Sequence, residues 1–441
     1  MPTTPTTTAE LRRDALEAWR AGVKAASPVA AVERALRTRP ELRAASDRTL
    51  VVATGKAAVA MLRGVGPGVR GWAIVPEDSD TTGTPIGVNV LRGGHPLPTQ
   101  EGFEASREVL AAVARLDERA RLLYLVSGGS SALFEVPLDA IDADDLIDTY
   151  SLLLASGMPI DEMNCVRRAL SRVKAGGLAR AAYPASVVTL AVSDVPGDAA
   201  LDIGSGPTVA STEPPERALE LVERYDLAGA LPESVLVVLR DVARRPPEAL
   251  KDNPARIESF EVLVRAAQAE EAAEDHLAER DYEIVTASVA SLAGDATKAA
   301  WQLVETFEKL AASGNRCALV LGGETTVRLP ERPGRGGRNQ HFAAVLAAAL
   351  AGREGFACMV GGTDGRDGDS DAAGALVDGT TGARVAAAGQ DLREAIACFD
   401  TGTALAAAGD AVVTGPSGTN VADLLVATFE ARAKPPVARG K

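Results

Sequence analysis

Lys56 stands in the turn Thr54-Gly55-Lys56, directly after a short apolar run and before a helical pattern over 57–62. A cation is unfavourable at a helix N-terminus, so a lysine there calls for a negatively charged partner. A second turn, Ser127-Gly128-Gly129-Ser130-Ser131, follows another apolar run. Its backbone N–H groups and hydroxyls suit a phosphate or carboxylate cradle above a helix N-terminus. Asp194 and Asp198 follow a third run, and Glu324 and Asp364 follow two more. Carboxylates in such places hold Mg2+ or orient a nucleophilic hydroxyl. The segment 334–340, GRGGRNQ, sets Arg335 and Arg338 ahead of Asn339-Gln340 and a helical pattern over 342–350. Two arginines on a flexible turn at a helix start suit bidentate capture of an anion.

Three familiar fingerprints fit less well. The turn at Lys56 is not a Walker motif, because position 50 is Leu and position 57 is Ala. The letters Gly66-Pro67-Gly68-Val69-Arg70-Gly71 match a dinucleotide fingerprint, but they follow a helix and precede a strand at 72–75. The run Gly128-Gly129-Ser130-Ser131-Ala132 departs by one residue from the nucleophile elbow of α/β-hydrolases, and a triad would need His341 as base with an acid such as Asp194 or Glu324. No oxyanion motif precedes the serine, and the anion cradle is the better reading.

These residues need elements to hold them. Largely apolar runs at 50–53, 122–126, 187–192, 317–321 and 356–360 each end abruptly in Gly, Ser, Thr or Asp. Ala-rich helical patterns at 102–116, 143–156 and 295–312 lie between them. Short apolar runs alternating with helices predict parallel strands covered on both faces, with ligands outside the carboxyl ends. Turns need Gly, Ser and Asp for bends and caps in any case. Five such turns carrying Lys, Glu and paired Asp ask for more than caps.

With 441 residues, two domains are expected. Pro-rich punctuation near 240–256 places the change there, giving an N-terminal domain over 1–245 and a smaller C-terminal one over 256–441, whose last segment is able to pack back on the first. The Thr- and Pro-rich start, 1–8, reads as a frayed tail. Aromatics are only 4%, so the cores rely on Ala, Val and Leu. The net charge of −14 and the lack of a basic stripe argue against a nucleic-acid partner. A local cationic site for a small anion is compatible with that charge. The four cysteines and three histidines lack metal-ligand spacing. No stretch approaches the roughly 18 apolar residues of a membrane span, and no signal-peptide pattern opens the chain. A soluble, cytoplasmic protein is expected; homodimeric assembly is compatible with the sequence but not specified by it.

Taken together, VVATGKAA (51–58), GGHPLPTQEG (93–102), LVSGGSSALFEVP (125–137), MNCVRRALSRVKAGGLA (163–179), VSDVPGDAALDIGSGPT (192–208), LVLGGETTV (319–327), GRGGRNQ (334–340), GGTDGRDGDSDAAGALVD (361–378) and TGPSGTNVADL (414–424) resemble the bacterial-type glycerate 2-kinases with a C-terminal MOFRL domain. The resemblance runs nearly end to end. It implies an α/β fold of two domains, a larger Rossmann-like parallel-sheet domain and a smaller C-terminal α/β domain, with the active-site cleft between them. It also implies ATP as donor, Mg2+ as the usual metal, and D-glycerate as acceptor, giving 2-phosphoglycerate. Carried over, it marks Lys56 and Arg338 as catalytic. Two departures stand out: Lys174-Ala175-Gly176-Gly177 where the family reads Lys-Gly-Gly, and Gly415-Pro416-Ser417 where it reads Gly-Pro-Thr.

On this reading Lys56 and Arg338 take the charge developing on the phosphoryl group, and Asp194 accepts the proton of the 2-hydroxyl, with Asp198 in reserve. Ser127, Gly128, Gly129, Ser130, Ser131, Asn164, Lys174, Asp198, Asn339 and Gln340 are the candidate substrate- or phosphate-binding residues, and Glu324 and Asp364 the candidate metal ligands. The rivals are a non-catalytic sugar-phosphate binding module and a hydroxypyruvate reductase, the latter needing a nicotinamide site.

Overall fold

The computed structural model describes residues 7–39, 42, 48–244, 255–287, 289 and 291–430. The chain divides into two compact units, Pro28–Val264 and a second made of Met1–Ser27 with Arg265–Lys441.

In the Pro28–Val264 unit, β1 (Thr49–Thr54), β2 (Arg70–Pro76), β3 (Val88–Gly93), β4 (Arg121–Val126), β5 (Ser186–Val192) and β6 (Arg256–Val264) form one sheet in the order β3-β2-β1-β4-β5-β6. Every neighbouring pair is parallel. The apolar runs explain the centre of this sheet, since β1 and β5 are buried at every position and β4 at all but its first. Strands covered by helices on both faces have no solvent side that would favour polar alternation. Val52, Tyr124, Val126 and Val187 share one core with Phe134 and Leu178.

The second sheet departs from the all-parallel expectation. It contains β7 (Glu283–Ile284), β8 (Leu292–Asp295), β9 (Cys317–Thr326), β10 (Phe356–Gly362), β11 (Gly374–Val377), β12 (Ala411–Val412) and β13 (Asp423–Phe429). Its main order is β12-β11-β10-β13-β9-β7, with β8 on β9. The last strand, β13, inserts antiparallel between β9 and β10. Apolar runs tell that a strand is buried, not which way its neighbour runs, so 317–321 and 356–360 gave no hint of this.

The domain boundaries also differ from the expected 1–245 and 256–441. Strand β6 completes the first sheet, which moves the division to Val264, and residues 245–254 lie outside the described residues. The last described segment, β13, sits inside the second sheet instead of returning to the first domain; residues 431–441 lie outside the described residues. It is the start of the chain that crosses over. Of the tail expected to fray, residues 1–6 lie outside the described residues, but Thr7 caps the helix Thr8–Ala25 in a capping box with Glu10. That helix packs on the helix Ala266–Ala278 and on β10 and β13. Its Leu11, Ala15, Ala18 and Trp19 are buried, and Asp14 accepts from Tyr282 at 2.9 Å. Arg12 reaches Asp410 at 2.7 Å and also pairs with Asp378.

Trp19 is 1% exposed, and its indole N–H has no acceptor among the described residues. Trp19→Ala is expected to destabilise the C-terminal unit by roughly 3–5 kcal/mol through the cavity it opens. Trp19→Phe, which loses no hydrogen bond, is expected to do so far less. Urea denaturation of the two variants checks this; equal losses would show that this helix does not complete the core.

Candidate functional site

Strand order in the first sheet turns around between β1 and β4, the adjacent pair from which the sheet grows in opposite directions. A crevice opens at the carboxyl ends of strands at such a switch point. The turns leaving β1 and β4 meet there. The Lys56 amide donates to the Gly128 carbonyl at 2.9 Å, and the Ser127 amide to the Thr54 carbonyl at 3.0 Å. The Ser127 hydroxyl accepts from the Ala57 amide at 3.0 Å and donates to the Thr54 carbonyl at 3.2 Å. Gly55 has φ 112°, and the backbone and hydroxyl of Ser127 fill the space a Cβ would take. Only glycine fits that close approach.

Ser130 is bonded inward as well, to Thr54 Oγ1 at 2.6 Å, and Thr54 Oγ1 also reaches the Tyr124 hydroxyl at 2.8 Å. Ser127 and Ser130 are both buried. The sequence reading gave these hydroxyls to an anion; the structure uses them to fix the loop. The helix after the loop, Ser130–Leu133, is one turn long and builds little macrodipole. What the loop leaves open is the exposed Lys56, with Gly129 and Ser131 half-buried.

His95 joins this group; in the sequence it stands inside the family-like stretch 93–102 without a role of its own. A Cβ on Gly129 would lie 3.1 Å from His95 Cδ2 and 3.5 Å from Lys56 Cγ. His95 reaches solvent, yet partial desolvation lowers its imidazole pKa and the Lys56 and Arg167 charges lower it further, which keeps the ring neutral at pH 7. Asp194, two residues beyond β5 and half-buried, is pushed the other way: desolvation raises its carboxyl pKa and the Lys56 charge partly offsets this. Lys56 and Asp194 therefore sense one another along the same sheet edge. Asp198 lies further along the same connection, in left-handed backbone at φ 54°.

Lys174 serves this site from behind. Its side chain is fully buried, and its Nζ lies 2.6 Å from Glu135 Oε2 and donates to the Ser131 carbonyl at 2.7 Å. Tyr150 and Ser171 also donate to Glu135. Such a lysine has no surface for a ligand; it braces the loop, which corrects its placement among the binding residues. Ala175, the departure from Lys-Gly-Gly, takes the left-handed conformation at φ 49°, where glycine is unstrained. Asn164 is 5% exposed and accepts from the Ser205 hydroxyl at 3.4 Å, and Ser205 bonds Ser131 Oγ at 2.9 Å.

The second group of predicted residues belongs to the other unit. The helix Arg338–Ala349 starts four residues earlier than expected, so Arg338, Asn339 and Gln340 form its first turn. Its N-terminal anion site is already taken: Asp367 accepts from the Asn339 amide at 3.0 Å and the Gln340 amide at 2.7 Å, and from Asn339 Nδ2 at 3.2 Å. Asp367 fills the space a Cβ on Gly337 would need. Burial pushes its carboxyl up to about 7, against the pull of those two amides. Asn339 and Gln340 are buried, so neither faces a ligand as expected.

Arg338, a cation at a helix start, is held by carboxylates. Its Nε and Nη2 donate to the two oxygens of the buried Asp423 at 2.6 and 2.9 Å, and Nη1 lies 2.8 Å from Glu324. Desolvation opposes its charge, but Asp423 and Glu324 raise its pKa above the ordinary value. Asp423 opens β13; in the sequence it stands inside the stretch 414–424 without a role of its own.

The expected metal ligands do not form a cage. Glu324 lies within β9, not at its end, and is paired with Arg338; Asp364 Oδ1 accepts from the Arg366 amide at 3.1 Å. Among the described residues, no three His, Cys, Asp or Glu side chains converge as a metal-holding group. The hydrolase alternative also loses its pairing, since Ser130 bonds Thr54 while His341 Nε2 bonds Thr297 Oγ1 at 2.9 Å and stacks on Phe399. The letters 66–71 run from the end of the helix Ala58–Val65 into β2, against the order a dinucleotide turn needs.

Residues 14–240 match the model of a domain of unknown function, DUF4147, and residues 317–423 that of the MOFRL family. The chain is 34% identical to the D-glycerate 2-kinase of Thermotoga maritima, over 94% of this chain and 98% of that one. It is 36% identical to a putative hydroxypyruvate reductase of Agrobacterium vitis, over 92% of this chain and 91% of the other. A crystal structure of the Thermotoga maritima glycerate kinase superposes with a TM-score of 0.80 at 33% identity, over 96% of this chain and all of that one. No helix among the described residues is long and apolar enough to cross a membrane. From its paired domain models, its end-to-end likeness and its shared fold, this chain belongs to the glycerate 2-kinase family.

Proposed function

We propose that the protein transfers the γ-phosphoryl group of ATP to the 2-hydroxyl of D-glycerate, giving 2-phosphoglycerate and ADP. The observation that carries the reading is the gathering of Lys56, His95, the 127–131 loop and Asp194 at the switch point of a Rossmann-ordered sheet, in a chain of this family. Phosphoryl transfer needs positioning and charge stabilisation more than covalent chemistry, and this edge of the sheet offers both. A reductase would need a nicotinamide turn, and the letters at 66–71 run the wrong way for one.

Lys56 is assigned to the charge developing on the transferred group. Asp194 is assigned to the 2-hydroxyl proton; its raised pKa makes it a stronger base than an ordinary carboxylate. The half-buried Gly129 and Ser131 are assigned to an anionic group. Arg338, fixed in direction by Asp423, is assigned to phosphate charge as the cation that its own unit offers. Mg2+ is assigned to the nucleotide, arriving with its phosphates and most of its waters, because Mg2+ in such sites takes few protein ligands.

Lys56→Ala is expected to lower kcat by roughly 10²–10³-fold while changing stability by less than about 0.5 kcal/mol, since the side chain is exposed. Lys174→Met is expected to do the reverse: it leaves Glu135 buried and unpaired, at roughly 3–5 kcal/mol of stability. Glycerate-dependent ADP release and urea denaturation measure the two effects; a Lys56→Ala enzyme with wild-type turnover defeats the assignment. The pH profile tests Asp194. A base must be deprotonated, so kcat should fall as pH drops through a pKa above the usual carboxylate range, and Asp194→Asn should abolish that limb along with about 10²–10⁴ of the rate. An unchanged acid limb in Asp194→Asn would move the role elsewhere.

A further inference from the structure

The helix Ile160–Ala169 carries two adjacent arginines with opposite surroundings. Arg168 donates from Nε at 2.8 Å and from Nη2 to the two oxygens of Glu213, and from Nη1 to Asp202 at 3.1 Å. Arg167 is only 5% exposed, yet its Nε and Nη2 have no hydrogen-bond partner among the described residues. Its guanidinium lies 4.6 Å from the Tyr150 ring centroid, so one face is covered by an aromatic surface. Glu135 is near enough to act on Arg167 electrostatically, but its oxygens already take Lys174, Tyr150, Ser171 and the Val136 amide.

A buried guanidinium with two idle donors is costly unless something pairs with it. The idle pair is the side-on fork, which grips both oxygens of one carboxylate. The same fork holds Glu213 on Arg168 and Asp423 on Arg338 in this molecule. Asn164 is three residues before Arg167 on the same face and connects through Ser205 to Ser131 of the candidate loop. His95, which lies against Lys56 and Gly129, feels the Arg167 charge.

We propose that the Nε–Nη2 fork of Arg167 receives the carboxylate of the acceptor, and so selects a small 2-hydroxy acid over neutral polyols of the same size. This rests on the glycerate kinase reading and extends it by naming the group that recognises the end of the substrate that does not react. Arg167 is a substrate-binding residue on this account. Its idle donors reserve a place for a carboxylate that the protein itself does not supply.

Isothermal titration of the whole protein with D-glycerate reads binding without turnover. Arg167→Gln is expected to raise the Kd for D-glycerate at least ~100-fold and leave the Kd for ATP within about two-fold. Arg167→Lys, which keeps the charge without the fork, should fall between. Without ligand, Arg167→Gln should melt at the wild-type temperature or above it, because a buried unpaired cation is removed. D-glycerate should raise the Tm of the wild type and not of the variant. A variant that binds D-glycerate like the wild type overturns the assignment and leaves the kinase reading standing. Wild-type protein that neither binds nor phosphorylates D-glycerate overturns both. Should Arg167→Gln fail to fold, Arg167→Lys decides: a wild-type Kd for D-glycerate counts against the fork, and a weakened one with ATP binding intact supports it.

Discussion

The amide of Lys56 and the carbonyl of Gly128 are joined by one hydrogen bond, and the architecture of the first unit converges on it. It ties the turn after β1 to the turn after β4, the two strands from which the sheet grows outward in opposite directions. The turns must approach closely, and Gly55 permits it by leaving the space that Ser127 fills. Once they touch, the Ser127 and Ser130 hydroxyls satisfy buried backbone and side-chain groups, and the Lys56 side chain is left at the surface. The Lys174–Glu135 pair then fixes the far end of the loop through the Ser131 carbonyl. A buried pair of this kind gives little net stability against an apolar alternative, but it holds one geometry firmly.

The C-terminal unit solves a related problem with carboxylates. The helix Arg338–Ala349 begins with a cation, and Asp367 supplies the anion its amides require. Asp423, at the start of the antiparallel strand β13, then orients the arginine through two parallel hydrogen bonds. The insertion of β13 between β9 and β10 is what brings this carboxylate to the first turn of the helix. The fold of this unit also depends on the start of the chain, whose helix buries Trp19 and Leu11 in its core.

Much of the first sheet was legible in the sequence because burial on both faces writes continuous apolar runs, and the runs at 50–53, 122–126 and 187–192 correspond to β1, β4 and β5. The turn residues were legible as a group for the same reason, since chemistry at strand ends stands out against such runs. Their individual tasks were not. Ser127, Ser130, Asn339, Gln340 and Lys174 have side chains suited to an anion, yet each is buried, and the partners that occupy all but Gln340's side chain lie far away in the chain. Strand direction in the second sheet and the crossing of the first helix are long-range facts that local patterns do not carry. Arg167 and Arg168 are identical letters side by side, and the positions of Glu213, Asp202 and Tyr150 separate them. His95 and Asp423 lie in the family-like stretches 93–102 and 414–424, but nothing local separates either from its neighbours there.

The central claim is that this family member carries a phosphoryl group to the 2-hydroxyl of D-glycerate, with the switch point of its parallel sheet as the reacting edge. Phosphorus NMR of the product made by the purified protein from ATP, Mg2+ and D-glycerate tests it most directly. The account predicts a 2-phosphoglycerate resonance that grows in step with ADP. A 3-phosphoglycerate resonance, or untouched ATP in the presence of folded protein, would contradict it.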